Sequence, residues 1–228
     1  MLLAIETATA RGSIALIDAE GKIESVTLSE ERNHGRSLAH TVKALVDGRE
    51  SKIQAYGLSI GPGSFTGLRI GLAFLKGFGI VYPAPVAAVS TLKIVAAGSP
   101  PEFCSLPILA MMDARSHEVY AGLYRWNNEK WVVDAQLPDG LYRQSEVFSQ
   151  FEDVDLLALG DGVVACPRGG EPPKIPVTWK QAQREHSWPK AETLAGLAWK
   201  KFEAGATVSL PELEPQYHQL SAAERNVD

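Results

Sequence analysis

The chain has 228 residues, 45% of them apolar and 21% charged, the balance of a folded protein with a sizeable core. Lys and Arg number 22 against 27 Asp and Glu, a net charge of −5, which argues against a chain that grips nucleic acid through its own surface. If it serves an RNA pathway, a partner supplies the basic groove.

The chain opens on a short apolar strand, Leu2–Ile5. Glu6 interrupts that run too early for a signal-peptide core. A polar turn from Glu6 to Gly12 leads to a second strand, Ser13–Asp18, and a third follows at Lys22–Ser29. Hairpin-linked strands of this kind predict an antiparallel start to a sheet. Ser37 is a good N-cap residue, and Leu38, Ala39, Val42, Leu45 and Val46 then mark one face of an amphipathic helix ending at Gly48. Ala55–Ile60 reads as a strand, and Leu68 to Val81 as a strongly apolar helix stopped by Pro83. Val86–Val89 is a further strand, and Ser90-Thr91 opens a short helix.

Glycine and proline thicken at Gly98-Ser99-Pro100-Pro101, which predicts a boundary between subdomains 1–99 and 100–228. Beyond it Leu106–Met112, Val119–Trp126 and Lys130–Ala135 read as strands. Gln144–Phe151 reads as a helix and Leu156–Leu159 as a strand ending in Gly160-Asp161-Gly162. Pro167 to Pro176 is an irregular loop, Ala191–Ala204 a closing helix, and the tail past Pro211 is polar. Both halves place several strands before their helices, so mixed sheets with helices on their faces are expected, an α/β fold. No apolar run approaches the roughly 18 residues needed to cross a bilayer. Cys104 and Cys166 follow no metal spacing and make no disulfide scaffold, which suits reduced thiols in the cytoplasm.

The most informative segment is Gly61-Pro62-Gly63-Ser64-Phe65-Thr66-Gly67-Leu68-Arg69-Ile70-Gly71, at a strand-to-helix turn. Free N–H groups at the helix start, two hydroxyls and the Arg69 charge could hold a phosphate. Yet Gly67 is followed by Leu68 rather than the Lys of a Walker loop. A dinucleotide fingerprint would need glycine where Thr66 stands, and a nucleophile elbow would need glycines at Pro62 and Thr66. Anion binding and a loop shaped by packing both remain open on these residues. Glycine inside a helix costs about 1 kcal/mol against alanine, so Gly67, Gly71, Gly77 and Gly79 imply close contact with other backbone. With Leu68, Ile70, Leu72, Phe74, Leu75 and Phe78 the helix is apolar nearly all round, to be buried in the domain core or against a second subunit.

Catalytic sets are harder to find. His34, His40, His117, His186 and His218 form no zinc-binding spacing. Glu6 and Asp113 stand at strand ends, where a carboxylate pair could hold a metal or act as acid and base, but no third member is evident.

The long loop is similar to the hallmark stretch of the TsaB family, also called YeaZ. Weaker matches follow in order: Leu3-Ala4-Ile5-Glu6-Thr7, Ser90-Thr91-Leu92, and Asp113-Ala114-Arg115 with Glu118-Val119-Tyr120. The resemblance covers residues 1–125 well and the rest loosely. It implies two actin-like (ASKHA, ribonuclease-H-like) subdomains. It also implies a part in adding threonylcarbamoyl to adenosine in tRNAs that read codons beginning with A. In that system the catalytic paralogue TsaD transfers the group and holds the metal. TsaB-like chains are non-catalytic partners of TsaD, joined by the ATPase TsaE, and form homodimers when alone. Such a chain has no cofactor or metal of its own, meets tRNA only through the complex, and leaves room for a nucleotide at a partner interface. The shared surface is expected on Leu38, Ala39 and Val42 of the first helix and Gly67, Gly71, Leu72, Phe74, Leu75 and Phe78 of the second. The loop glycines are then expected to let a strand, a helix and a second subunit approach closely.

The chain departs from the family at three places. Glu6 stands for the usual Asp, His34-Gly35-Arg36-Ser37 lacks the usual acid, and Pro215-Gln216-Tyr217-His218-Gln219 replaces the usual Pro-x-Tyr-Leu-Arg. A rival expectation is an independent ATPase or small-molecule kinase of actin-like fold. A protease lacks any recognisable nucleophile, base or metal set.

Overall fold

The structure is a computed structural model, and it describes residues 1–28, 34–127, 130–133, 136–166 and 170–215. Among the described residues the chain divides into two compact units, residues 1–94 with the segment from 189 onward, and residues 95–188. The expected division at 99/100 is therefore corrected: the closing helix and the segment after it belong to the first unit.

The first unit begins with β1 (Leu2–Glu6), β2 (Ser13–Ile17) and β3 (Ile23–Thr27). α1 (His34–Val46), β4 (Ala55–Ser59), α2 (Phe65–Val81), β5 (Val86–Val89) and the start of α3 (Thr91–Ala97) follow. Its sheet has the order β3-β2-β1-β4-β5, antiparallel across β3, β2 and β1 and parallel across β1, β4 and β5. The second unit holds β6 (Ile108–Arg115), β7 (Glu118–Asn127), β8 (Lys130–Val133), β9 (Gly140–Arg143), α4 (Gln144–Phe151), β10 (Leu156–Leu159) and β11 (Trp179–Gln181). Its sheet runs β11-β10-β6-β7-β8, with β9 also on β7. In each unit a three-stranded antiparallel meander is continued by two strands parallel to its first member. The two halves share one topology, as the coarse element order anticipates.

Alternation along β1 explains how the first sheet is buried twice. Leu3 and Ile5 join Leu38, Val42 and Val46 of α1 and Leu72 and Leu75 of α2 in one cluster. Leu2 and Ala4 point the other way and join Ala191, Leu194, Ala195 and Ala198 of α5 (Ala191–Glu203). The second face is lined by small residues: Ala4, Ala15, Ala55 and Ala87. A Cβ on Gly57 would lie 2.7 Å from the Ala198 Cβ. α5 thus sits directly on the sheet. In the second unit Leu109, Met111, Val119 and Leu123 pack with Val147 and Phe151 of α4 and with Trp179.

Several boundaries differ from expectation. α1 begins at His34, so Ser37 lies inside the helix and its carbonyl accepts from Thr41 Oγ1 at 2.7 Å. α2 begins at Phe65, capped by Ser64, rather than at Leu68. β6 starts and ends later than Leu106–Met112 and carries Asp113-Ala114-Arg115 within it. β9 and β11 have no counterpart among the expected strands. Parts of the strand expected over 130–135, of the loop expected over 167–176, and of the tail, including His218, lie outside the described residues.

Because α5 has no slack against the sheet, Ala198→Leu should destabilise the first unit by about 1–3 kcal/mol, an overpacking cost. A denaturant titration followed by tryptophan fluorescence and circular dichroism checks this. An unchanged midpoint would contradict the close helix–sheet contact.

Candidate functional site

The hallmark loop joins β4 to α2 at the carboxyl ends of the parallel strands, where open α/β sheets commonly bind ligands. Its own chain fills it. Ser64 N donates to Ala8 O at 2.7 Å, and Thr91 N donates to Gly61 O at 2.8 Å. The Ser64 hydroxyl accepts from Gly67 N at 3.2 Å and so caps α2. That hydroxyl, expected to serve an anion, is spent on the helix. Arg69 lays its guanidinium over the Phe65 ring, 3.7 Å from the centroid. Thr66 is exposed, and Gly61 and Pro62 are buried.

The glycines explain the fit. A Cβ at Gly67 would overlap the carbonyl oxygen of Thr7, and one at Gly71 would overlap the Thr7 hydroxyl. Gly63, at φ +154°, packs against the Ala8 backbone in the same way. The loop and the first turns of α2 therefore lie directly on the turn that follows β1, and the packing expectation for these glycines holds within the chain. Leu38, Val42, Gly67, Gly71, Leu72 and Leu75, expected at a subunit surface, are buried inside the first unit. Of the residues expected there, Ala39 is exposed and Phe74 and Phe78 are half-buried.

Glu6 closes the corner. It ends β1 fully buried. Its Oε1 accepts from Ala8 N at 2.6 Å and from Ser59 Oγ at 3.4 Å, while Oε2 has no hydrogen-bond partner. Burial pushes its pKa up to about 8, against the smaller opposing pull of the Ala8 and Ser59 hydrogen bonds. Near neutral pH this side chain is mainly a neutral acid, poorly suited to hold a cation. Thr7 Oγ1 and Thr91 Oγ1 are also buried without partners. Ser59, Thr7, Ala8 and Thr91 are the neighbours that sequence reasoning missed, because only strand pairing brings residues 6, 59 and 91 toward one corner.

The matching corner of the second unit is built differently. Gly160 follows β10 at φ 106°, close to the 111° of Gly61 after β4. Asp113, near the end of β6, is exposed, and its backbone N–H donates to Asp161 Oδ1 at 3.0 Å. Burial raises the Asp161 pKa, and the charge of Asp113 adds to the rise. Arg115, Ser116 and His117 all take positive φ in the β6–β7 hairpin, a costly run for residues with side chains. A cavity of about 560 Å³ opens beside them, lined also by Asp113, Gln144 and Cys166. Glu6 and Asp113 thus belong to separate units, each with its own setting.

Among the described residues no group of His, Cys, Asp and Glu is arranged to hold a metal ion, and no helix is long and apolar enough to cross a membrane. Cys104 and Cys166 are free thiols. His40 is exposed, and His186 Nδ1 lies 2.9 Å from Gly98 O. The His34 side chain lies outside the described residues.

Two outcomes follow from the corner. Gly67→Ala should cost about 1–3 kcal/mol, because the atom it would strike is backbone and cannot rotate away. Urea unfolding measures it, and a loss below a few tenths would contradict the contact. Glu6 titrates near pH 8 folded and near 4.5 unfolded. Its contribution to stability is therefore full below pH 4.5 and is lost as pH rises toward 8. Glu6→Gln should gain on the parent across that window by up to about 1.4 kcal/mol per pH unit, seen as diverging melting curves between pH 5 and 8. Parallel curves would mean that Glu6 is ionised in the fold.

The family described as "TsaD: tRNA N6-adenosine threonylcarbamoyltransferase" matches residues 23–147, more than half of the chain. The chain is 28% identical over 227 residues to the tRNA threonylcarbamoyladenosine biosynthesis protein TsaB of Escherichia coli, covering 97% of this chain and 96% of that one. It is 32% identical over 141 residues to the TsaB of Bacillus subtilis, covering 60% of each. The solved structure of YeaZ from Pseudomonas aeruginosa superposes with a TM-score of 0.79 at 29% identity, covering 95% of this chain and 98% of that one. These matches agree with the two actin-like units described above, and the chain belongs to the TsaD family of tRNA N6-adenosine threonylcarbamoyltransferases, in its TsaB (YeaZ) branch.

Proposed function

We propose that this chain is a non-catalytic partner subunit in the biosynthesis of threonylcarbamoyladenosine in tRNA, acting in the cytoplasm. It pairs with a TsaD-type transferase and works with a TsaE-type ATPase. Alone it pairs with a second copy of itself, and it meets tRNA only within the assembly. The single observation that carries the non-catalytic part is the filled corner at the end of β1. An actin-like ATPase needs a charged carboxylate and open backbone N–H groups there. This chain has a buried acid of raised pKa and a loop packed onto Thr7 and Ala8. The chain has no cofactor of its own in this reading, and any nucleotide would sit where a partner completes the site.

The pairing surface is the outer side of α1 and α2, which pack against each other. Ala39 and His40 are exposed on α1, and Ala73 and Gly77 on α2. A Cβ at Gly77 would meet nothing within 4 Å. A helix glycine with open space above it gives the chain's own core nothing, but it lets a partner helix come close. Ile80 and Val81, 84% and 66% exposed, extend the same helix with apolar surface.

Reconstitution of tRNA modification with and without this chain tests the role. Product formed equally well without it would refute the role. So would calorimetry showing tight magnesium–ATP binding and turnover by the isolated chain, since that outcome would favour an independent ATPase. For the surface, Ala73→Arg should weaken pairing at least tenfold in analytical ultracentrifugation while leaving the melting temperature unchanged. Pairing at the parental strength would move the interface elsewhere.

A further inference from the structure

The segment after α5 returns along the first unit and makes three separate attachments. Val208 exchanges two backbone hydrogen bonds, each 2.9 Å, with Val86 at the edge of β5. Leu210 is buried against α2 at Gly79, where a Cβ would overlap the end of its side chain. Leu213 is buried beside Leu58, Ile60, Leu68 and Leu72, and the gap it lines with them is too narrow for water. Lys76 of α2 adds a hydrogen bond from Nζ to Pro211 O at 3.5 Å. Both leucines belong to the same cluster as Tyr56, Leu72 and Leu75. Between them Pro211 and Glu212 are exposed on a turn closed by the Leu213 N–H donating to Leu210 O at 3.3 Å, so the segment is a strap held by its two leucines.

Gly79 supplies the second half of the case. A glycine in a helix interior weakens the helix against alanine, and here the space it leaves is taken by Leu210. The helix is shaped for the strap. The same helix carries Ala73 and Gly77 on its outer side.

We propose that the slot between α2 and strands β4 and β5 is a binding site for a turned segment bearing two leucines, occupied in cis by residues 208–215. Its occupancy sets the position of α2 for pairing. Leu213 and Leu210 press on the inner side of the helix whose outer side meets the partner. Loss of the strap therefore lets α2 shift and weakens the pairing without touching the paired surface itself. The coupling rests on the pairing surface proposed above.

The test uses the full chain as Leu210→Ala/Leu213→Ala, with Leu213→Ala as a milder second variant in case the double one fails to fold. Circular dichroism confirms the fold of each. A glutamate-specific protease reports release of the strap through cleavage after Glu212 and Glu214. Pairing with the TsaD-type transferase is measured by calorimetry. Cleavage is expected to rise at least tenfold, pairing to weaken at least tenfold, and a synthetic peptide of residues 206–215 to restore much of the pairing. Ala73→Arg should weaken pairing with no change in cleavage. A released strap with unaltered pairing overturns the coupling, and unaltered cleavage in both variants overturns the slot. If the parent chain does not pair at all, the pairing surface falls and the coupling with it, while the cleavage result still decides the slot.

Discussion

Helix α2 can lie where it does because residues 67 and 71 have no side chain. Both face Thr7 in the turn after β1, one against its carbonyl and the other against its hydroxyl. With a methyl group at either place the helix would have to lift, and Leu68, Leu72 and Leu75 would lift with it out of the main cluster. The loop before the helix would move too, taking the Ser64–Ala8 and Gly61–Thr91 hydrogen bonds along. The burial of Glu6 beneath that loop is a consequence of the same contact. So is the support under the outer face of α2.

That contact also separates two corners of one topology. Each unit builds an antiparallel meander and adds two parallel strands to its first member, and each sends a glycine-bearing loop from the strand parallel to that first member, β4 or β10. In the first unit the loop settles onto the neighbouring turn, and the acid beneath it is taken out of water. In the second unit the acid near the end of β6, Asp113, stays exposed beside a cavity and a strained hairpin. Desolvation makes the difference in chemistry: a carboxyl group that has lost water and gained only two hydrogen bonds prefers its proton. In the first unit the corner is taken up by close packing.

Much of the architecture was legible because periodicity reports burial. The apolar run Leu2–Ile5 and the i, i+4 spacing of Leu38, Val42 and Val46 were right about which side chains go inside. They do not say what covers those side chains, since buried does not mean buried against a partner. Leu38 and Val42 satisfy the pattern of an interface and of a core equally, and the sheet takes them. Ser37 carries a capping side chain, yet α1 starts at His34, because a capping residue marks one candidate start and the local hydrogen bonds choose among several. The short strands β9 and β11 escaped notice because four and three residues carry too little pattern against the turns around them.

The sequence by itself determined the class of the fold, the place of its most constrained segment and the family resemblance, since these depend on local patterns and on a long run of particular residues. It also showed that the loop glycines mean close approach, because their cost in a helix must be offset somewhere. What they approach was decided only in three dimensions. Thr7 with Ala8, Ser59 and Thr91 come from three distant stretches of the chain, brought to one end of the sheet because β1 pairs in parallel with β4 and β4 with β5. The return of α5 and the 208–215 segment to the first unit was likewise invisible, for an apolar helix stripe says that it must be covered and not by which sheet. Small residues on one face of the first sheet and a glycine at position 79 made that choice, through shape complementarity that exists only once the strands are assembled.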